Sequence, residues 1–153
     1  MIGSCLCGTV KFEAKVETLK AYQCHCSLCR KQTGTASSSG SVIHADDLEW
    51  LSGENNISKW VKDTGFTSHF CSTCGSSVPN KFKGSPYYWV PAGLIESDNI
   101  EIVANIFVCD AAKWSQVSMN INPYETRPEV ETLIGILCGK NAHIAFHPTG
   151  YSE

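Results

Sequence analysis

Hydrophobic and polar residues alternate over several short stretches of this chain, and each such stretch predicts a strand with one buried face. From Thr9 to Lys15, Val10, Phe12 and Ala14 fall on one side and Lys11, Glu13 and Lys15 on the other. Ala21 to Gln23 and Ser41 to His44 read as further strands, the first leading directly into a group of cysteines. Ile57 to Val61 and Phe66 to Phe70 flank Lys62-Asp63-Thr64-Gly65, a hairpin signature. Ser77 to Phe82, Tyr87 to Val90 and Ile100 to Val108 complete the set. Asp46 or Asp47 is placed to cap a short helical turn running through Trp50, before Gly53. The small, polar stretch from Gln32 to Gly40 can supply little core.

The pattern changes near the C-terminus. Val130, Leu133, Ile134, Leu137 and Cys138 recur at helical spacing. Pro128 suits a first helical position after Thr126 or Arg127, and Gly139 a stop. Gly135 weakens this helix by ~1 kcal/mol relative to alanine. His143 to Gly150 reads as an extended tail. Short strands with frequent turns predict a mainly β fold, with one C-terminal helix. The expected organisation is one domain over residues 1–128 and an extension over 129–153, helix plus tail, packed on the same domain.

Composition narrows the class. The chain has 153 residues, 42% of them hydrophobic and 18% charged, which suits one globular domain. No apolar run approaches the ~18 residues of a membrane span, so no membrane role is expected. A formal charge of −3 offers no electrostatic footprint for nucleic acid. Cys5 and Cys7 already belong to a motif, which leaves no room for a secretory signal and makes the cytoplasm the expected compartment. Nine cysteines, an odd number, in a reducing compartment favour metal ligation over disulfides.

Seven of the nine lie in three motifs: Cys5-Leu6-Cys7-Gly8, Cys24-His25-Cys26-Ser27-Leu28-Cys29 and Cys71-Ser72-Thr73-Cys74-Gly75. Close spacing lets two thiolates reach one tetrahedral ion at ~2.3 Å. Glycine after Cys7 and after Cys74 permits a positive φ that turns backbone amides toward sulfur. Seven donors divide into a closed set of four and an open set of three, and open three-ligand sites usually do chemistry. Spacing leaves two groupings open. Cys26, Cys29, Cys71 and Cys74 can share an ion, leaving Cys5, Cys7 and Cys24; or Cys5, Cys7, Cys71 and Cys74 can, leaving Cys24, Cys26 and Cys29.

These motifs resemble the glutathione-dependent formaldehyde-activating enzyme family, which shares its fold with the Mss4-like proteins and includes the centromere protein V relatives. The matching residues are Gly3-Ser4-Cys5-Leu6-Cys7-Gly8-Thr9-Val10, Cys24-His25-Cys26-Ser27-Leu28-Cys29-Arg30 and Phe70-Cys71-Ser72-Thr73-Cys74-Gly75-Ser76. Ala92-Gly93-Leu94 and Ile106-Phe107-Val108 with Trp114 echo later family blocks, so the likeness spans about residues 3 to 115. It implies an Mss4-like β-sandwich of short antiparallel strands and two Zn²⁺ per chain. Cys5, Cys7, Cys71 and Cys74 would hold the structural zinc, and Cys24, Cys26 and Cys29 the catalytic one. Two departures stand out: Asn105 where the family often has a histidine, and Ile95-Glu96-Ser97-Asp98 in place of the family's acidic turn.

An open three-sulfur zinc site would present a thiolate to an aldehyde. The expected activity is that of a carbon–sulfur lyase on a thiol–aldehyde adduct such as S-hydroxymethylglutathione, with glutathione or another small thiol as partner. A thiol carrier without turnover and an Mss4-like adaptor are the alternatives. Arg30 and Lys31 are candidate contacts to glutathione carboxylates, or else solvated charges. His25 is a candidate general base, or else a side chain turned to solvent. Trp50, Trp60, Trp89 and Trp114 are expected in the core, Trp114 being also the best candidate for a pocket wall by family position. Cys109 and Cys138 are expected as small buried residues, and His143 and His147 as exposed tail residues or late ligands to the open site.

Overall fold

The structure, a computed structural model, describes residues 1–82 and 84–139. In chain order the strands are β1 (Ile2–Ser4), β2 (Lys11–Ala14), β3 (Leu19–Cys24), β4 (Ser38–His44), β5 (Leu48–Ser52), β6 (Ile57–Val61), β7 (Thr67–Cys71), β8 (Asn80–Lys81), β9 (Tyr87–Pro91) and β10 (Ile100–Ile106). Helix α1 (Ser27–Thr33) follows β3, and α2 (Val130–Cys138) lies near the C-terminus. The fold is mainly β, as the alternation predicts.

The strands form three sheets, ordered β1-β2-β5, β10-β3-β4-β9-β8 and β6-β7. Every pairing is antiparallel except β10 with β3, which runs parallel with Ile100 beside Leu19 and Ile106 beside Cys24. A parallel pair needs a long crossover, here the whole chain between β3 and β10. It sets the C-terminal ends of both strands side by side, where the second cysteine motif begins.

The inward residues of β2 explain the main core. Phe12 and Ala14 are fully buried and pack with Leu19, Ala21, Ile43 and Val90 of the five-stranded sheet. Each large side chain buried this way contributes roughly 1.5–3 kcal/mol. A second cluster joins Val42 and Tyr87 to Leu133, Ile134 and Leu137, so α2 lays its apolar stripe on the five-stranded sheet. A third contains Cys5, Val10, Cys71 and Val78.

Several expectations are corrected. The predicted turn through Trp50 is a single 3-10 turn at Ala45–Asp47, capped not by an aspartate but by His44 Nδ1, which accepts from the Asp46 amide at 3.3 Å. The chain then extends as β5, because Trp50 lies opposite Phe12 in β2 and their rings meet edge-on at 6.0 Å. Of Ser77 to Phe82 only Asn80–Lys81 is a strand, since Pro79 has no amide to donate. Helix α2 begins at Val130, two residues after Pro128, and ends on Gly139 with φ 64°. Trp50 packs against the core as expected and Trp89 is half-buried, but Trp60 is 52% and Trp114 74% exposed. Cys109 is exposed rather than buried, while the half-buried Cys138 donates from its thiol to the Val42 carbonyl at 3.2 Å. His143, His147 and the tail lie outside the described residues.

Candidate metal centres

Two tight turns of similar design build the first centre. After β1 the Gly8 amide donates back to the Cys5 carbonyl at 2.8 Å; after β7 the Gly75 amide donates back to the Cys71 carbonyl at 2.8 Å. Gly8 and Gly75 both hold positive φ, 72° and 76°, which the turns require. The turns face each other, and the sulfurs of Cys5, Cys7, Cys71 and Cys74 all lie within 4.8 Å of one another. Cys5 and Cys7 sulfurs are 3.5 Å apart, and Cys7 and Cys71 sulfurs 3.8 Å.

Polar neighbours suit these sulfurs to carry charge. The Val10 amide donates to Cys5 Sγ at 3.3 Å. The Ser76 hydroxyl beside Cys74 pulls that thiol down to about 5, and the Thr9 hydroxyl beside Cys7 lowers it in the same sense. Burial pushes Cys5 the other way. Ser76 Oγ also accepts from the Leu6 amide at 3.1 Å, tying the two turns together.

The second centre is local. Cys24 ends β3 and is buried; Cys26 is the N-cap of α1; Cys29 lies within its first turn. Cys26 Sγ accepts from the Cys29 amide at 3.5 Å. All three sulfurs lie within 4.8 Å of one another, and among the described residues this cluster has no fourth donor. Thiol neighbours at Cys24 and Cys29 hold Cys26 well below the usual thiol range. The same closeness pushes the thiols of Cys24, to about 12, and of Cys29 upward, because a second thiolate would face the first. A bound cation reverses that penalty.

The other sequence candidates take definite places. His25 is not turned to solvent: it is 2% exposed, and its ring Nε2 lies 2.9 Å from Asn105 Oδ1. It does not join the sulfur cluster. Arg30 is half-buried, and its Nε donates to the His25 carbonyl at 3.2 Å, so part of its guanidinium serves the loop itself. Lys31 is exposed on α1. The loop after α1 is braced by Thr33, which donates to the Cys29 carbonyl at 2.9 Å and meets the Thr35 hydroxyl at 2.8 Å. Tyr22, the inner neighbour of this centre on β3, was not singled out by sequence; burial raises its phenol above the usual range. Asn105 was noticed only as a departure from a pattern, yet it is fully buried beside the motif. A cavity of about 460 Å³ opens elsewhere, between Leu19, Val42, His44, Tyr87 and the end of α2, and none of the seven cysteines lines it. Among the described residues no helix is long and apolar enough to cross a membrane.

Comparison with known proteins agrees with this arrangement. A crystal structure of a Rhodobacter sphaeroides protein superposes with a TM-score of 0.54 at 22% identity, covering 81% of this chain and 99% of that one, a likeness of fold. A Halomonas elongata protein, provisionally named a glutathione-dependent formaldehyde-activating enzyme, is 37% identical over 87 residues, or 50% of this chain and 52% of its own length. The chain thus spans about half the length of that curated relative. The sequence profile of the family described as glutathione-dependent formaldehyde-activating enzyme matches residues 1–110, which include both clusters. The chain belongs to the glutathione-dependent formaldehyde-activating enzyme family.

Proposed function

We propose that this protein is a zinc-dependent enzyme of the carbon–sulfur lyase type, acting on a thiol–aldehyde adduct such as S-hydroxymethylglutathione. The observation that carries the reading is the three-sulfur cluster of Cys24, Cys26 and Cys29, to which the described residues add no fourth donor, so that a tetrahedral ion held there would keep one position for an outside molecule. An all-sulfur donor set with four and three members fits two zinc ions. Cys5, Cys7, Cys71 and Cys74 would hold the structural ion, and the other three the reactive one. When bound, that second zinc supplies a Lewis acid that keeps an incoming thiol deprotonated at neutral pH.

The reaction balances without an oxidant. In the forming direction the thiol sulfur attacks the aldehyde carbon, the carbonyl π bond opens, and the thiol proton ends on the new hydroxyl. In the cleaving direction the hydroxyl gives up its proton, the carbon–sulfur bond breaks, and the thiol is regenerated. The chain's own part is to hold the three sulfurs in place. Cys24 is buried and fixed by β3, Cys26 and Cys29 are fixed by the start of α1, and Arg30 holds the loop carbonyl. Lys31, exposed on the same helix, would meet a carboxylate of the thiol, as one point charge at the rim. Residues 129–153 are proposed as an extension of the same domain, with α2 as its docked part.

Cys26→Ser tests the reading. It should remove one zinc equivalent of two and abolish adduct formation from glutathione and formaldehyde. Full turnover by that variant would overturn the proposal, as would wild-type protein that binds the thiol and yields no product, which is the carrier's behaviour. Lys31→Ala should raise KM for a glutathione adduct by up to about fivefold with kcat nearly unchanged, the scale of one exposed ion pair.

A further inference from the structure

His25 sits between two cysteines of the open cluster, and three separate groups pin it. Its amide donates to the Ile106 carbonyl at 3.0 Å, its carbonyl accepts from Arg30 Nε at 3.2 Å, and its ring meets Asn105 at 2.9 Å. The other ring nitrogen, Nδ1, is buried with no hydrogen-bond partner. The ring's orientation therefore rests on Asn105.

The direction of that bond follows from Asn105's other contacts. Its side-chain amide nitrogen donates to the carbonyls of Ser118 at 3.2 Å and Ile121 at 3.1 Å. Turning the amide over would set its oxygen against two carbonyl oxygens, so Oδ1 must face the histidine. An amide oxygen only accepts, so Nε2 must carry the proton and a neutral ring has Nδ1 bare. Asn105's backbone is equally committed: its amide donates to the Asn122 carbonyl at 3.2 Å, and its carbonyl accepts from Tyr124 at 2.8 Å. One fully buried residue thus joins β10, the 118–124 loop and the cysteine loop. Two residues on, Phe107 takes a left-handed φ of 55°, a conformation that persists only where its surroundings hold it.

We infer that Asn105 is a positioning residue for the open cluster, locking His25 as the Nε2–H tautomer and so holding Cys24 and Cys26 in register for a metal ion. The inference rests on the proposed metal at that cluster. A group bonded directly to a ligand typically governs metal affinity by about 10–100-fold; Asn105 acts one step further back, through the residue between two ligands, so the lower end of that range is expected.

The test has two arms. In zinc-loaded protein carrying ¹⁵N-histidine, nuclear magnetic resonance should show His25 with Nε2 protonated and Nδ1 not; the opposite tautomer overturns the inference. In chelator competition, Asn105→Leu should weaken retention of one zinc about tenfold and leave the other unchanged. His25→Leu should match it, the double variant should be no worse than either single one, and His25→Gln, which keeps a donor at the same reach, should restore retention. Equal weakening of both ions, additive losses, or failure of His25→Gln to rescue would overturn it. If the wild-type cluster holds no metal at all, the proposed function fails, while the tautomer still decides the Asn105–His25 assignment.

Discussion

Phe12 shows how far a single position can be read. Its place in an alternating stretch predicts burial, and it is buried completely, with the Gly3 backbone directly over its ring. Phe12→Ala should cost about 3–5 kcal/mol in a urea unfolding experiment, because it removes a large side chain that nothing nearby can replace. Gly53 carries a different constraint. A Cβ there would fall 2.2 Å from the Thr9 carbonyl oxygen, and its φ is already 73°. Gly53→Ala should therefore destabilise by more than ~1 kcal/mol, measured the same way. His25 was ambiguous at this scale. Nothing in Cys-His-Cys says whether the ring faces water; the answer depends on Asn105, eighty residues away in the chain.

At the scale of elements, the hairpin β6–β7 and helix α2 were legible because their signals are local: a four-residue turn, and an apolar stripe ended by glycine. Leu133 of α2 is buried on β4 and β3. Leu133→Ala should cost about 2–5 kcal/mol, and hydrogen exchange should accelerate in α2 before it does in the sheets. The stretch from Leu48 to Ser52 was misread because Asp46-Asp47 is a fair cap and Trp50 suits either state. Pairing with β2 settles it, and pairing is a property of two segments. Trp60 and Trp114 were misplaced for a related reason: large aromatics are usually buried, but Trp60 lies on a two-stranded hairpin and is 52% exposed.

At the scale of the molecule, the two cysteine clusters differ in what they close. The four-sulfur cluster joins the turn after β1 to the turn after β7, 64 residues apart. The three-sulfur cluster spans one β3–α1 loop. If both hold zinc, losing the first frees a long loop and losing the second a short one, so Cys71→Ser should lower Tm more than Cys26→Ser. Protons compete for every sulfur, so zinc retention by both clusters should fall as pH falls; retention unchanged on acidification would argue against thiolate ligation.

By itself the sequence determined what short-range chemistry decides. It supplied the inward face of β2, the hairpin, the end of α2, and three cysteine turns with donors in surplus of one tetrahedral site. Which sulfurs meet, where β10 lies, and whether His25 is dry were settled by the tertiary structure. Each depends on segments tens of residues apart, and no spacing along a chain specifies which of them become neighbours until the core has chosen its packing.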